Sequence, residues 1–167
     1  MDFYEVIKAR RSVRAYRQDP VDDETLERVL SAAVLAPSAG NRQPIHLYVV
    51  REKAARMRMM EVYRQEWFVS APVIICACHE PGHAWKRTDG KSYADVDLAI
   101  AFDHLILAAT AEGLGTCWIG AFKAEVLRAI LDIPDNLEPV ALTPLGYPAH
   151  EPSASPRRSL DELVEYR

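Results

Sequence analysis

The chain has 167 residues, of which 49% are hydrophobic and 26% are charged, and its formal net charge is -4. This length and apolar content predict a single domain, residues 1–167, with a substantial core. The acidic balance, with basic residues interspersed among acids, argues against nucleic-acid binding. At the N-terminus, MDFYEVIKAR predicts an amphipathic helix rather than a signal peptide, so a cytoplasmic location is expected.

Apolar periodicity and turn residues predict helices that alternate with strands along the chain. The helices are expected at residues 3–9, 23–36, 53–65, 95–112 and 124–131, and the strands at 45–50, 73–78, 116–119 and 138–144. Such an alternation predicts one sheet covered by helices, of the α/β or α+β class, with strand directions left open. Residues 150–158 predict an extended surface arm, followed by a small apolar foothold at Leu160, Leu163 and Val164.

The basic run RRSVR, residues 10–14, follows the first predicted helix. Side chains alternate along an extended chain, so Arg10, Ser12 and Arg14 are expected on one side. Two guanidinium groups and a hydroxyl can bind one small dianion there, since arginine forms paired charge-assisted hydrogen bonds with phosphate. Taken alone, a short basic run is more typical of a solvated surface patch.

The segment PSAGNRQP, residues 37–44, ends the second predicted helix. Its small residues at 38–40 allow the backbone to approach a flat ligand closely. The amides of Asn41 and Gln43 both donate and accept hydrogen bonds, as the edge of a heterocycle with carbonyl and N–H groups requires. The alternative is an ordinary helix-to-strand turn with Asn41 in a left-handed conformation.

The most apolar stretch, residues 96–112, leads into GLGTCWIG at residues 113–120. It is too short and too often interrupted by polar residues to span a membrane, so it is expected to be a core or subunit-interface helix. Gly113 is expected to end that helix. Backbone N–H groups near Ile119, Gly120 and Ala121 would then face a ligand. The alternative is simply a tight turn and a buried strand.

The remaining candidate ligands predict no metal centre. Cys76, Cys78 and Cys117 lack the spacing of a zinc site and are expected in the core as small hydrophobic side chains. The five histidines are not expected to be metal ligands.

Together, the three motifs resemble those of the FMN-dependent nitroreductase family. Members of that family carry R-R-S-x-R after the first helix and A-P-S-x-x-N-x-Q-P after the second, and a long apolar helix leads into G-L-G-x-x-W-I-G. Each pattern stands in this chain in the same order. The family's basic motif near the C-terminus corresponds to SPRRSL, where Arg157 is the match and Arg158 its neighbour. The resemblance covers nearly the whole chain.

The resemblance implies an α+β, nitroreductase-like three-layer fold, with a mixed but mostly antiparallel central sheet covered by helices. It also implies an intertwined homodimer with two FMN sites at the subunit interface, each built from both chains. The phosphate and ribityl side would come from one subunit and PSAGN from the other. The implied cofactor-binding residues are Arg10, Arg11, Ser12, Arg14, Pro37, Ser38, Ala39, Asn41, Gln43, Trp118, Ile119, Gly120, Arg157 and Arg158.

The implied activity passes hydride from NAD(P)H to FMN and then to an electron-poor acceptor, such as a nitroaromatic or a quinone, by a ping-pong mechanism. The chemistry would be that of the cofactor, and no side chain is nominated as catalytic. One alternative is a flavoprotein of the same fold that uses oxygen, dehalogenates a ring or fragments its flavin. A flavin-free scaffold protein is another.

The polar loop at residues 80–93 is the most individual part of the chain. If it lies over the flavin, Trp85 would shape the acceptor pocket, and Lys86 or Arg87 would attract an anionic group such as the phosphates of a nicotinamide. The alternative is a solvated surface loop anchored by one tryptophan.

Overall fold

The computed structural model describes residues 1–167 and contains one four-stranded sheet. Its strands are β1 (Ile45–Val50), β2 (Val73–His79), β3 (Gly115–Thr116) and β4 (Glu138–Gly146), in the order β1-β2-β4-β3. All pairings between these strands are antiparallel, and a single parallel bridge joins Ser12 to Thr116. The prediction of a mixed, mostly antiparallel sheet is therefore confirmed.

Six helices surround this sheet. They are α1 (Phe3–Ala9), α2 (Asp23–Val34), α3 (Lys53–Arg58), α4 (Glu66–Ser70), α5 (Ala94–Ala111) and α6 (Ala124–Leu131). Asp22 begins α2 by accepting the N–H of Thr25 at 2.8 Å, as an N-cap does. The helix ends two residues earlier than predicted, since Pro37 disfavours a helical conformation in the residue before it.

Strand β2 separates two apolar cores. All of its residues are buried, and its side chains alternate between the two faces of the sheet. Ile75 and Ala77 join the core formed with α2 and α5, whereas Ile74 and Cys76 join the core formed with α4 and α6. Helices thus cover both faces, which confirms the three-layer prediction.

The predicted single helix at 53–65 is wrong. The segment forms α3, a 3-10 turn at Met59–Glu61 and a loop before α4, which the sequence analysis does not predict. Met59 and Val62 are both buried in one core, and their spacing of three residues matches a 3-10 turn. Helix α4 buries Phe68 in the same core. The helix breaks because two separate groups of apolar side chains must reach this core before β2 begins.

The strand predicted at 116–119 is shorter in the structure. After β3, Ile119 pairs with Leu142 only as an isolated bridge, through two backbone hydrogen bonds of 2.9 Å. Between them, the N–H of Cys117 donates to Oγ1 of Thr143 at 3.0 Å. A side-chain hydroxyl therefore replaces a ladder hydrogen bond and interrupts the strand.

The C-terminal arm leaves the sheet beside the segment that follows α1. The N–H of Ala149 donates to the carbonyl of Ala15 at 2.9 Å, and residues 151–159 form neither helix nor strand and are nearly all exposed, which agrees with the predicted surface arm. Leu160, Leu163 and Val164 are exposed. The prediction that these side chains anchor the arm by apolar contact is therefore wrong for the single chain, because they are not buried against it.

Candidate functional site

The RRSVR segment lies along the edge of the sheet at β3. The N–H of Val13 donates to the carbonyl of Thr116 at 2.8 Å, next to the bridge between Ser12 and Thr116. Val13 is buried, whereas Ser12 and Arg14 are exposed on the other side of the segment. The alternation predicted for an extended chain is therefore confirmed for these residues. Gly115 makes the contact possible, because a Cβ there would lie 2.6 Å from Cγ2 of Val13.

Basic side chains gather where this segment meets the C-terminal arm. Arg10, Arg11 and Arg157 line one open cavity together with Lys8. None of the four forms an ion pair within the chain. Arg158, in contrast, is paired with the carboxylate of Glu162 at 3.6 Å. Cations that form no ion pair within the chain favour the binding of a multiply charged anion at this cavity.

A second cavity adjoins the first and shares Ser155 with it. Ser12 and Arg14 line this cavity, opposite the arm. The guanidinium carbon of Arg14 lies 6.0 Å from the ring centroid of Trp67, a cation–π distance that restrains the side chain. Burial raises the pKa of the nearby Cys117 thiol, and the charge of Arg14 partly offsets that rise.

The loop at residues 37–43 has an uncommon backbone. Gly40, Asn41 and Gln43 have φ values of 59°, 52° and 49°. These lie in the left-handed region, which is energetically unfavourable for residues that have a side chain. Oγ of Ser38 accepts the N–H of Gln43 at 2.9 Å, and the Gln43 amide donates to Oδ1 of Asn41 at 3.2 Å. The left-handed Asn41 agrees with the alternative interpretation, an ordinary helix-to-strand turn, and these hydrogen bonds hold the loop in its shape.

Asp97 of α5 supports this loop and is absent from the sequence-based set of site residues. It is 2% exposed, and its Oδ1 accepts the N–H of Ala39 at 2.8 Å. Its Oδ2 is buried without a hydrogen-bond partner. Asp97 lines a cavity of about 210 Å³ together with Pro37, Ser38 and Gln43. The sequence feature that could have indicated Asp97 is the presence of an aspartate within the most apolar stretch of the chain.

The segment after β3 offers backbone donors, but fewer than predicted. The N–H of Ile119 donates to Leu142, so the expectation that it faces a ligand is wrong. The N–H groups of Gly120 and Ala121 have no acceptor within the chain. A Cβ on Gly120 would meet no atom within 4 Å, so the space beside its backbone is open. Trp118 is 41% exposed, and its ring meets that of Phe102 edge-on, with 4.7 Å between centroids.

The 80–93 loop packs against the 37–43 loop through Trp85. The Trp85 ring is half-buried, 5.0 Å from the ring of Tyr93, and a Cβ on Gly40 would lie 3.6 Å from its Cδ1. Arg87 forms paired hydrogen bonds of 3.0 Å to the carboxylate of Asp89, which neutralises its charge locally. Lys86 and Lys91 are exposed and form no ion pair, so both cations of this loop remain open to an anion.

The two sides of the candidate site do not meet in one cavity of the chain. None of the cavities combines residues 10–14 or Arg157 with residues of the 37–43 loop, although the cavity of about 580 Å³ brings Arg10 next to α5.

The remaining polar groups form no further centre. No three histidine, cysteine, aspartate or glutamate side chains converge as metal ligands would. The three cysteines are buried, as predicted. The sulfur atoms of Cys76 and Cys78 lie 3.6 Å apart. None of the helices, α5 included, has the length and apolarity that crossing a membrane would require.

A family model and a curated relative both match this chain over most of its length. The family model described as the nitroreductase family matches residues 7–62 and 52–147. An NADH dehydrogenase of Thermus thermophilus is 32% identical over 189 aligned residues, which cover 95% of this chain and 92% of that protein.

Solved structures share the fold over nearly all of this chain. A nitroreductase family protein from Clostridium difficile 630 is 36% identical with a TM-score of 0.91, covering 99% of this chain and 98% of that one. The NADPH:FMN oxidoreductase from Vibrio harveyi, complexed with NAD+, is 24% identical with a TM-score of 0.88, covering 99% of this chain and 77% of that one. At that identity the second similarity shows the fold alone.

Proposed function

The chain belongs to the nitroreductase family, and on that premise we propose that it is an FMN-dependent NAD(P)H oxidoreductase that reduces an electron-poor acceptor, such as a nitroaromatic or a quinone. The observation that carries the proposal is the cluster of arginines without ion pairs beside Ser12. The Thermus thermophilus relative, named an NADH dehydrogenase, supports the same class of activity.

The basic cluster fits the phosphate end of FMN. A phosphate monoester carries close to two negative charges and three acceptor oxygens, which match guanidinium forks and a hydroxyl donor. Arg10, Ser12 and Arg14 would bind it from the segment beside β3, with Arg11 close by. Arg157 would complete the clamp from the C-terminal arm, whereas Arg158 is engaged by Glu162.

The proposed assembly is a homodimer in which the 37–43 loop serves the flavin of the neighbouring subunit. The separation of the two sides of the site within one chain supports it. A groove of about 580 Å³ between α1, α2 and α5 also supports it, since its apolar lining includes the exposed side chains of Phe3, Ile7 and Leu35. Apolar surface of this kind is typical of protein interfaces.

When bound, FMN would supply the hydride chemistry between the nicotinamide and the acceptor. The contribution of the chain is to bind and orient. The N–H groups of Gly120 and Ala121 would donate to the ring edge, and Pro37, Ser38, Ala39 and Asn41 would line the ring from the other subunit. Trp118 packs on Phe102 beside these donors, so it would form one side of the pocket that holds the flavin ring. No side chain is assigned as a proton donor.

The 80–93 loop would bind the electron donor, NAD(P)H, through Lys86. Replacing Lys86 with alanine is expected to raise the KM for NADPH by about two- to fivefold, the range for one exposed ion pair, with little change in kcat. Arg87→Ala is the matched control, because Arg87 is already paired with Asp89 and its loss should change the KM less. Steady-state kinetics at fixed acceptor concentration would measure both. An unchanged KM in Lys86→Ala would exclude this role.

Visible spectroscopy of the purified protein tests the proposal as a whole. A yellow protein with flavin absorption that NADPH or NADH bleaches, and that a nitroaromatic or quinone then restores, is the expected result. Parallel double-reciprocal plots would establish the ping-pong order. A protein that binds FMN but turns over neither acceptor would point to the oxygen-using, dehalogenating or flavin-fragmenting alternatives. A protein that stays colourless after incubation with FMN and removal of the free flavin would leave only a flavin-free scaffold.

A further inference from the structure

One side-chain hydrogen bond joins the two ends of the 80–93 loop. His79, the last residue of β2, precedes the loop, and Asp95, the second residue of α5, follows it. Nε2 of His79 lies 3.0 Å from Oδ1 of Asp95. A carboxylate only accepts hydrogen bonds, so Nε2 carries the proton and donates it. The contact therefore closes the loop at its base.

His79 is the fixed partner in this contact. Its backbone is paired with Ile45 of β1 and with Glu138 of β4, and the residue is 5% exposed. Nδ1 is buried without a partner, and the Glu138 carboxylate is 3.9 Å from Nε2, beyond hydrogen-bonding distance. The side chain of Asp95, in contrast, is 79% exposed. The position of this carboxylate therefore depends on its bond to a ring that is held in the sheet.

The start of α5 has no other side-chain anchor of this kind. Tyr93 occupies the cap position, and its side chain makes no capping hydrogen bond. A first turn without a cap leaves backbone N–H groups unpaired and is less stable. The bond between His79 and Asp95 ties this turn to the sheet.

The loop itself is a small hairpin that follows the first turn of α5. The N–H of Arg87 donates to the carbonyl of Lys91 at 2.9 Å, and the N–H of Tyr93 donates to that of Trp85 at 3.0 Å. These bonds fix the shape of the hairpin but not its direction, because both partners lie within it. Its direction is set at the base and where Trp85 meets the 37–43 loop.

We propose that His79 is a positioning residue that acts through Asp95: it holds the first turn of α5, and with it the hairpin, against the 37–43 loop. The inference rests on the proposed function, because it takes the 80–93 loop to bind NAD(P)H. A hairpin that is held in place presents its cations to the donor more often, which lowers the apparent KM.

Limited digestion with trypsin tests the position of the hairpin without reference to activity. Lys86, Arg87 and Lys91 are exposed cleavage sites, and cleavage of a folded chain follows the fraction of molecules that are locally open. Asp95→Ala should raise the cleavage rate at these sites by about two- to fivefold, the range for one partly exposed pair. Cleavage after Arg64, which is exposed outside the loop, should not change. An equal rise at Arg64 would indicate general destabilisation and would overturn the proposal.

A double-mutant cycle determines whether the two residues act through one bond. His79→Ala should also raise the cleavage rate, and His79→Ala combined with Asp95→Ala should not exceed it. His79→Gln should stay near wild type, since its amide N–H can replace that of Nε2. Asp95→Asn keeps an acceptor but loses the charge at the helix N-terminus, so it controls for the helix dipole and should also stay near wild type. Additive effects of the two alanine substitutions overturn the proposal, as does an Asp95→Asn variant that is cleaved as fast as Asp95→Ala.

Steady-state kinetics of the FMN-saturated enzyme connects the hairpin to the reaction. Asp95→Ala should raise the KM for NADPH by up to fivefold and leave kcat nearly unchanged, whereas Glu138→Ala, the neighbouring carboxylate, should change neither. Faster cleavage with an unchanged KM would overturn the role of His79 in donor binding. If wild type neither binds FMN nor oxidises NADPH, the proposed function fails, while the digestion still decides whether His79 holds the loop.

Discussion

Replacing Arg10 and Arg14 together with alanine is expected to weaken FMN binding by roughly two orders of magnitude or more, because each hydrogen bond between charged groups contributes about 1.5–3 kcal/mol. Neither arginine has a carboxylate partner, so neither is needed to balance an acid within the chain. The fold should therefore survive the change. Titration of the apoprotein with FMN, followed by flavin fluorescence, gives the dissociation constant.

Riboflavin is the matched ligand for this experiment because it carries the same ring without the phosphate. Its affinity should be nearly the same in wild type and in the double variant. Arg64→Ala is the matched protein control, since Arg64 is exposed and forms no hydrogen bond or ion pair through its side chain. Equal losses for FMN and riboflavin would contradict a phosphate clamp, and so would a comparable loss in Arg64→Ala.

Local chemistry in the sequence was enough to predict part of this clamp. The alternation of an extended chain places Ser12 and Arg14 on one side, and the buried Val13 between them agrees with it. Arg157 is different, because no local pattern links it to a segment more than 140 residues away. Only the family resemblance indicated it, and the structure places it in a cavity with Arg10 and Arg11.

The errors of sequence analysis at the site have a common physical origin. The Thr143 hydroxyl takes the N–H of Cys117, and the pairing with β4 then resumes in the same register, so the N–H of Ile119 is used by Leu142. Asp97 escaped notice because its partner, Ala39, is distant in sequence and contributes only a backbone N–H. Hydrogen bonds between a side chain and a distant backbone group leave no periodic trace in a sequence.

The same limit applies to the fold between β1 and β2. The pattern after Glu52 is helical, and α3 begins there as predicted. Where a helix stops depends on which core its side chains must reach, and Met59 and Phe68 reach the same one from different elements. Helix boundaries that are set by packing rather than by a cap or a proline are therefore the least predictable.

Replacing Gly115 with alanine is expected to lower the free energy of unfolding by about 1–3 kcal/mol, the usual cost of overpacking a core. The new Cβ would lie 2.6 Å from Cγ2 and 2.7 Å from Cβ of Val13, a rigid side chain that is 5% exposed. Val13 can yield only by moving its backbone, which carries the neighbouring Ser12 and Arg14. FMN affinity should therefore fall together with stability.

The control is Gly82→Ala, where a Cβ would meet no atom within 4 Å, and its melting temperature should match that of wild type. A second substitution, Val13→Gly in the Gly115→Ala background, removes all three clashing atoms of Val13 and should restore part of the FMN affinity. Thermal unfolding of the apoproteins and FMN titration measure the two effects separately. Wild-type values for Gly115→Ala would show that β3 and the basic segment are not held together by this contact. Recovery of affinity in the double variant would show that the position of the clamp depends on how closely these two backbones pack.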